Sequence, residues 1–188
     1  MLDRVREKLA ATEAEALLVT HPANVRYLSG FRAPEDGRVL VTEGEAVLIT
    51  DGRYIAQAGE ESRLPVEIFE GSWLGHLKDQ LAGRSLAFEA EGVSYALFEE
   101  LKDKLGSAPT PTRGLIAELR LVKTPDETQR LRQAARVTDD AFTHILNFIR
   151  PGRSETEVAL ELERFMLLAG TEGAGFEIIV ASGPRSAM

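Results

Sequence analysis

Glu118 to Arg136 reads ELRLVKTPDETQRLRQAAR, and this stretch divides the chain into two unlike parts. Thr124 and Glu127 stand at the T-x-x-E spacing of a capping box, with Pro125 at the first helical position, where its missing N–H costs nothing. The spacing predicts a long helix. Behind it Leu131, Ala135, Thr138, Phe142, Ile145 and Ile149 recur at steps of three and four, a stripe that needs burial. Pro151 and Gly152 end it. Ser154 and Glu157 repeat the capping spacing, and Val158, Leu162, Phe165, Met166 and Ala169 form a second stripe that stops at Gly170.

Upstream, short strands alternate with short helices, which predicts a layered α/β domain. Leu2, Val5 and Leu9 mark one face of an opening helix, and Ala16 to Thr20 (ALLVT) is a buried strand. Pro22 starts a helix through Asn24, Tyr27 and Leu28 that Gly30 stops, and Phe31 to Gly37 (FRAPEDG) is a polar loop. Arg38 to Thr42 and Ala46 to Thr50, joined by Glu43, Gly44 and Glu45, have the spacing of an antiparallel hairpin. Asp51 caps a helix with Tyr54 and Ile55; strands follow at Val66 to Phe69 and Ser85 to Glu89; Ser72 and Ser94 cap two further helices. Ser107 to Gly114, rich in Pro and Thr, reads as the linker. The expected division is 1–117 and 118–188.

With 188 residues, 44% hydrophobic and 28% charged, the chain has room for one full domain and part of another. No apolar run approaches the roughly 20 residues of a membrane span, and MLDRVREKL is amphipathic rather than a signal peptide, so the cytoplasm is the expected compartment. The absence of cysteine rules out disulfides, iron–sulfur clusters and thiol catalysis. Residues 1–117 carry 13 basic and 19 acidic groups and residues 118–188 carry 9 and 11, so neither part favours a nucleic-acid partner. His21, His76 and His144 each lack a second ligand at metal spacing. Asp139 and Asp140 point about 100° apart on a helix and read as a solvated face. Gly170, Gly173 and Gly175 form a glycine-rich turn that reads either as a cradle for an anion or as the flexible exit from a helix into a strand at Ile178 to Ala181.

Four strings, Asn24 to Phe31 (NVRYLSGF), Thr50 to Tyr54 (TDGRY), Leu119 to Glu127 (LRLVKTPDE) and Phe176 to Gly183 (FEIIVASG), follow in an order that resembles the proline-specific aminopeptidases and dipeptidases of the pita-bread metallopeptidase family. The resemblance implies a creatinase-like N-terminal domain, a mixed sheet flanked by helices, over 1–117. It implies the first helices and strand of an incomplete pita-bread α+β catalytic domain over 118–188. For the parent protein it implies metal-dependent hydrolysis of the bond before proline in short Xaa-Pro peptides, with two divalent metal ions, manganese, cobalt or zinc. In the family the segment resembling Ser182 to Met188 runs straight into a proline and an active-site histidine, and every metal ligand lies further on. No catalytic or metal residue is therefore assigned here; the chain alone is expected to hold no metal and to be inactive. A homodimer is implied, and a second chain carrying the rest of the catalytic domain is the alternative.

Family dimers place a loop of the first domain near the partner's active site. By position that loop is Arg32 to Arg38, with Arg32, Glu35 and Asp36 as charges able to meet a dipeptide's termini. Phe176, where glycines hand over to a strand, is a candidate pocket residue. Arg53 and Tyr54 read as structural, a capped helix start with the guanidinium paired to an acid. Two rival functions are a non-catalytic peptide- or protein-binding module of the same fold and a metal-free creatinase-like hydrolase. The helices after Lys123 offer about ten apolar side chains, each worth roughly 1.5–3 kcal/mol on burial, more than they can hide against each other.

Overall fold

The computed structural model describes residues 1–187 and divides into two compact units, with the break after Val122. In the first, six strands form one mixed sheet. All four side chains of β1 (Ala16–Val19) are buried, which suits an unbroken apolar run covered on both faces. The expected hairpin is present as β2 (Arg38–Thr42) and β3 (Ala46–Asp51), antiparallel, with Val41 opposite Ala46 and the Thr42 amide donating to the Glu45 carbonyl. Strand β4 (Val66–Phe69) runs parallel to β3, and β5 (Leu86–Glu89) parallel to β1.

The sixth strand, β6 (Thr110–Thr112), lies where the sequence predicts a linker, and the sheet order is β4-β3-β2-β1-β5-β6. Pro111 donates no amide, which an edge strand tolerates. Thr112 secures the pairing on β5: its hydroxyl donates to the Phe88 carbonyl, and its carbonyl accepts from the Ala90 amide. Turn-forming composition yields here to an open sheet edge.

Helices α1 (Leu2–Ala10), α2 (Pro22–Ser29), α3 (Ile55–Glu61), α4 (Trp73–Leu81), α5 (Tyr95–Leu105) and α6 (Leu115–Leu121) flank the sheet. The alternation of side chains along a strand makes two cores. Leu17, Val19, Val39, Val41 and Leu48 pack with Val5, Leu28, Ala58, Ile116 and Leu119, while Leu18, Leu40, Ile49 and Phe88 pack with Leu77, Leu81 and Leu101. The expected division after residue 117 falls inside α6. That helix buries Leu115, Ile116 and Leu119 in the first core, and Lys8 of α1 pairs with its Glu118.

The second unit is a helical hairpin, α7 (Pro125–Phe148) and α8 (Glu155–Leu168). Both capping boxes form as read, with Thr124 and Ser154 each accepting from the amide of the third helical residue while Glu127 and Glu157 reach back. Ala141, Ile145 and Val158 are buried at the hairpin seam. The predicted stripe on α7 is mostly uncovered: Leu131, Phe142 and Ile149 are all more than half exposed. Ile178 to Ala181, predicted as a strand, takes no strand pairing. Both departures have one cause, since no sheet exists among the described residues of this unit to cover the helices or to pair with Ile178–Ala181.

Candidate functional site

The Phe31–Gly37 loop is held at both ends by the first core. Gly30 terminates α2 in the left-handed conformation (φ 83°), and a Cβ there would meet the Glu61 carbonyl at 3.0 Å, so the position requires glycine. Phe31 is fully buried and meets the Tyr54 ring edge to face at 5.6 Å. The NVRYLSGF and TDGRY strings are therefore one structural cluster.

Asp36 is its centre. Its backbone carbonyl accepts from the buried Thr50 hydroxyl at 2.8 Å, and its carboxylate accepts from Arg53 Nη2 at 2.8 Å and from the Tyr54 hydroxyl at 2.7 Å. Arg53 also grips Asp51 with Nε at 3.0 Å and Nη2 at 2.8 Å, and its amide donates to the same carboxylate. These bonds from the Arg53 side chain and backbone hold the Asp51 carboxyl down to about 2 and push the guanidinium up. The hydrogen bond to Asp36 pushes the Tyr54 phenol up. The structural assignment of Arg53 and Tyr54 agrees with this geometry.

Of the three charges proposed for the loop, two are engaged in scaffolding. The Arg32 amide and Nε each donate to Glu61 at 2.8 Å, and Gln57 donates to the same carboxylate. Burial raises the Glu61 carboxyl, but the bonds from Arg32 and Gln57 outweigh it and the net shift is down. Glu35 is exposed and makes no side-chain hydrogen bond among the described residues. Phe176 belongs to the second unit, is 83% exposed, and lies in a stretch without regular structure.

A second polar cluster escaped the sequence reading. Glu89, buried at the end of β5, accepts from the Thr20 and His21 amides at 3.0 Å each and from Asn24 Nδ2 at 2.5 Å. Asn24 Oδ1 in turn accepts from Arg120 Nη1 at 2.8 Å. The carboxylate thus sits on the N-terminus of α2, where free amides and the helix dipole favour an anion. Asn24 comes from the first resemblance string and Arg120 from the third. The available signal was an asparagine on the buried face of an apolar helix.

In the second unit, His144 Nε2 lies 2.6 Å from Glu161 Oε1, and Arg164 Nη2 and Nε donate to Glu161 at 2.7 and 2.9 Å. Arg164 first and His144 second hold the Glu161 carboxyl near 2. The His144 ring stacks on Phe165 at 4.6 Å. This cluster ties α7 to α8. Among the described residues no three His, Cys, Asp or Glu side chains come together as a metal site, and no helix is long and apolar enough to cross a membrane.

Residues 1–122 match the Creatinase/Prolidase N-terminal domain, and residues 129–188 match Metallopeptidase family M24. The uncharacterized peptidase YqhT of Bacillus subtilis is 34% identical over 193 residues, an alignment covering 100% of this chain and 54% of that protein. A Xaa-Pro dipeptidase of Pyrococcus horikoshii is 30% identical over 187 residues, covering 98% of this chain and 52% of its own. Among solved structures, the Xaa-Pro dipeptidase from Bacillus anthracis superposes with a TM-score of 0.91 at 37% identity, covering 100% of this chain and 54% of that one. The chain spans about half the length of the relatives it matches.

Proposed function

Because the chain belongs to the Creatinase/Prolidase N-terminal domain family and continues into Metallopeptidase family M24, we propose that it is the N-terminal part of a metal-dependent peptidase that cleaves the bond before proline in short Xaa-Pro peptides. The observation that carries this reading is the superposition of the whole chain on one half of a Xaa-Pro dipeptidase. Two divalent metal ions would supply the activated water and polarise the scissile carbonyl. The described residues hold no cluster fit to bind them, and on this reading the chain by itself is inactive.

The contribution of this half is positional. Residues 1–117 form the bulk of the creatinase-like domain, and α7 and α8 open a pita-bread catalytic domain whose sheet covers their apolar faces. Clamped by Arg53, Tyr54 and Glu61, the 31–37 loop presents Glu35 as a fixed charge toward a dipeptide's terminus in the active site of a partner copy. Arg32 and Asp36 position that loop, and Phe176, in the second unit, lines the substrate pocket of its own catalytic domain.

A chimera joining this chain to the remaining half of the Bacillus anthracis Xaa-Pro dipeptidase tests the reading. The chimera gains manganese-dependent hydrolysis of Xaa-Pro dipeptides, and the chain alone shows none. A folded, metal-loaded chimera without turnover would return the fold to the non-catalytic binding class.

A further inference from the structure

A cavity of about 370 Å³ opens in the first unit where α4 and α5 both end, beside the start of β5 and the 106–109 connection into β6. That volume lies in the range of small-molecule pockets, about 300–1,000 Å³. Leu81, Leu86 and Pro109 are buried beneath it, and the half-buried Leu105 completes an apolar floor.

One wall is strained. Ala82 closes α4 at φ 49° and ψ 38°, the one non-glycine residue with positive φ among the described residues. Glycine would take that conformation without a steric cost, yet glycine stands at the next position, Gly83. Ala82 lines the cavity, so a methyl group held in left-handed backbone forms part of its wall. Backbone held in such conformations collects at ligand clamps.

The rim carries both signs of charge. Lys78 and Asp79 line the cavity and are exposed, and neither side chain makes a hydrogen bond or ion pair among the described residues. Arg84 Nη1 donates to the Gln80 and Leu81 carbonyls at the end of α4, which leaves its Nε and Nη2 without a hydrogen bond among the described residues. A carboxylate alone would meet Lys78 and Arg84 but also Asp79 and the negative ends of two helix dipoles. An ammonium alone would meet Asp79 and those dipoles but also both cations. A ligand bearing both charges close together satisfies the whole rim.

We propose that this cavity is a site for a free aliphatic α-amino acid. Its carboxylate meets Lys78 and Arg84, its ammonium meets Asp79 and the carbonyl end of α5, and its side chain lies on the floor of Leu81, Leu86 and Leu105.

Titrating the chain with L-leucine while amide chemical shifts are followed by NMR tests this. The expected result is a saturable shift at Gly83, Leu86 and Leu105 at roughly millimolar L-leucine, the range that so small a ligand allows. Isocaproate, which lacks the ammonium, and isoamylamine, which lacks the carboxylate, bind at least ~10-fold more weakly. Lys78→Gln and Asp79→Asn each weaken L-leucine binding at least ~10-fold, at exposed positions where thermal unfolding is unchanged. Ala82→Gly, which removes the methyl and relieves the positive φ, raises the unfolding temperature while weakening binding. The absence of a saturable shift would overturn the proposal, as would isocaproate, isoamylamine or L-glutamate binding as tightly as L-leucine. Affinity indifferent to both charge substitutions would overturn it too.

Discussion

The Tyr54 hydroxyl donates to Asp36 Oδ2 at 2.7 Å, joining residues 18 positions apart and closing the 31–37 loop onto the start of α3. The phenol therefore titrates above its ordinary value of about 10. The difference in phenolate absorbance between the chain and Tyr54→Phe isolates this group, and Asp36→Asn is expected to bring its midpoint down. An unmoved midpoint in Asp36→Asn would remove the bond as the cause.

Acid sensitivity follows from two carboxyls held below their ordinary values, Asp51 from 3.8 to about 2 and Glu161 from 4.5 to about 2. Because the folded value lies below the unfolded one, each contributes stability above its ordinary value and loses it as pH falls toward 2. Glu161→Gln is expected to flatten the pH 4.5 to 2 dependence of α7–α8 hairpin stability, and Asp51→Asn that of the first unit. Side-chain carboxyl chemical shifts of the two residues report the midpoints directly.

Burying Ile116 and Leu119 makes α6 part of the first core rather than the opening of the second unit. Ile116→Ala is expected to destabilise the first unit by about 2–5 kcal/mol in urea unfolding, leaving exchange protection at the α7–α8 seam unchanged. Equal loss of protection in both units would contradict that placement.

Removing Glu89 strips three donors of their acceptor. Each buried group left unsatisfied costs about 1–3 kcal/mol, so Glu89→Ala is expected to be among the most damaging single substitutions in the first unit. Glu89→Gln, whose carbonyl oxygen still accepts from the Thr20 and His21 amides while its NH2 faces Asn24 Nδ2, rescues only part of the loss in thermal unfolding.

Gly30→Ala forces a side chain into left-handed backbone and within 3.0 Å of the Glu61 carbonyl. A cost of about 1–3 kcal/mol is expected, with faster amide exchange at Arg32 as the loop comes away from Glu61. Protection at Arg32 equal to that of the unsubstituted chain would show that the loop is held without this turn.

Local chemistry was legible where neighbours in sequence decide it. Thr124 with Glu127 and Ser154 with Glu157 cap their helices because each box is closed within one turn, and the Glu43–Glu45 turn sets the β2–β3 register because its length admits little else. Asp51 capping Arg53 belongs to the same class. Misreadings arose where a distant partner overrides a local preference. Thr110–Thr112 looks like linker until β5 offers an edge, and Ile178–Ala181 looks like strand but has no neighbour among the described residues.

The candidate site divides along the same line. Sequence alone determined the α/β class, the long capped helices, the loop carrying Arg32, Glu35 and Asp36, and the family resemblance, because periodicity, capping and turn chemistry act over a few residues. Tertiary structure decided that Arg32 pairs with Glu61 and Asp36 with Arg53 while Glu35 is exposed, and that Asn24 bridges Glu89, 65 positions away, to Arg120, 96 positions away. A side chain's role depends on what folding brings within about 3 Å of it, and no local pattern encodes that partner.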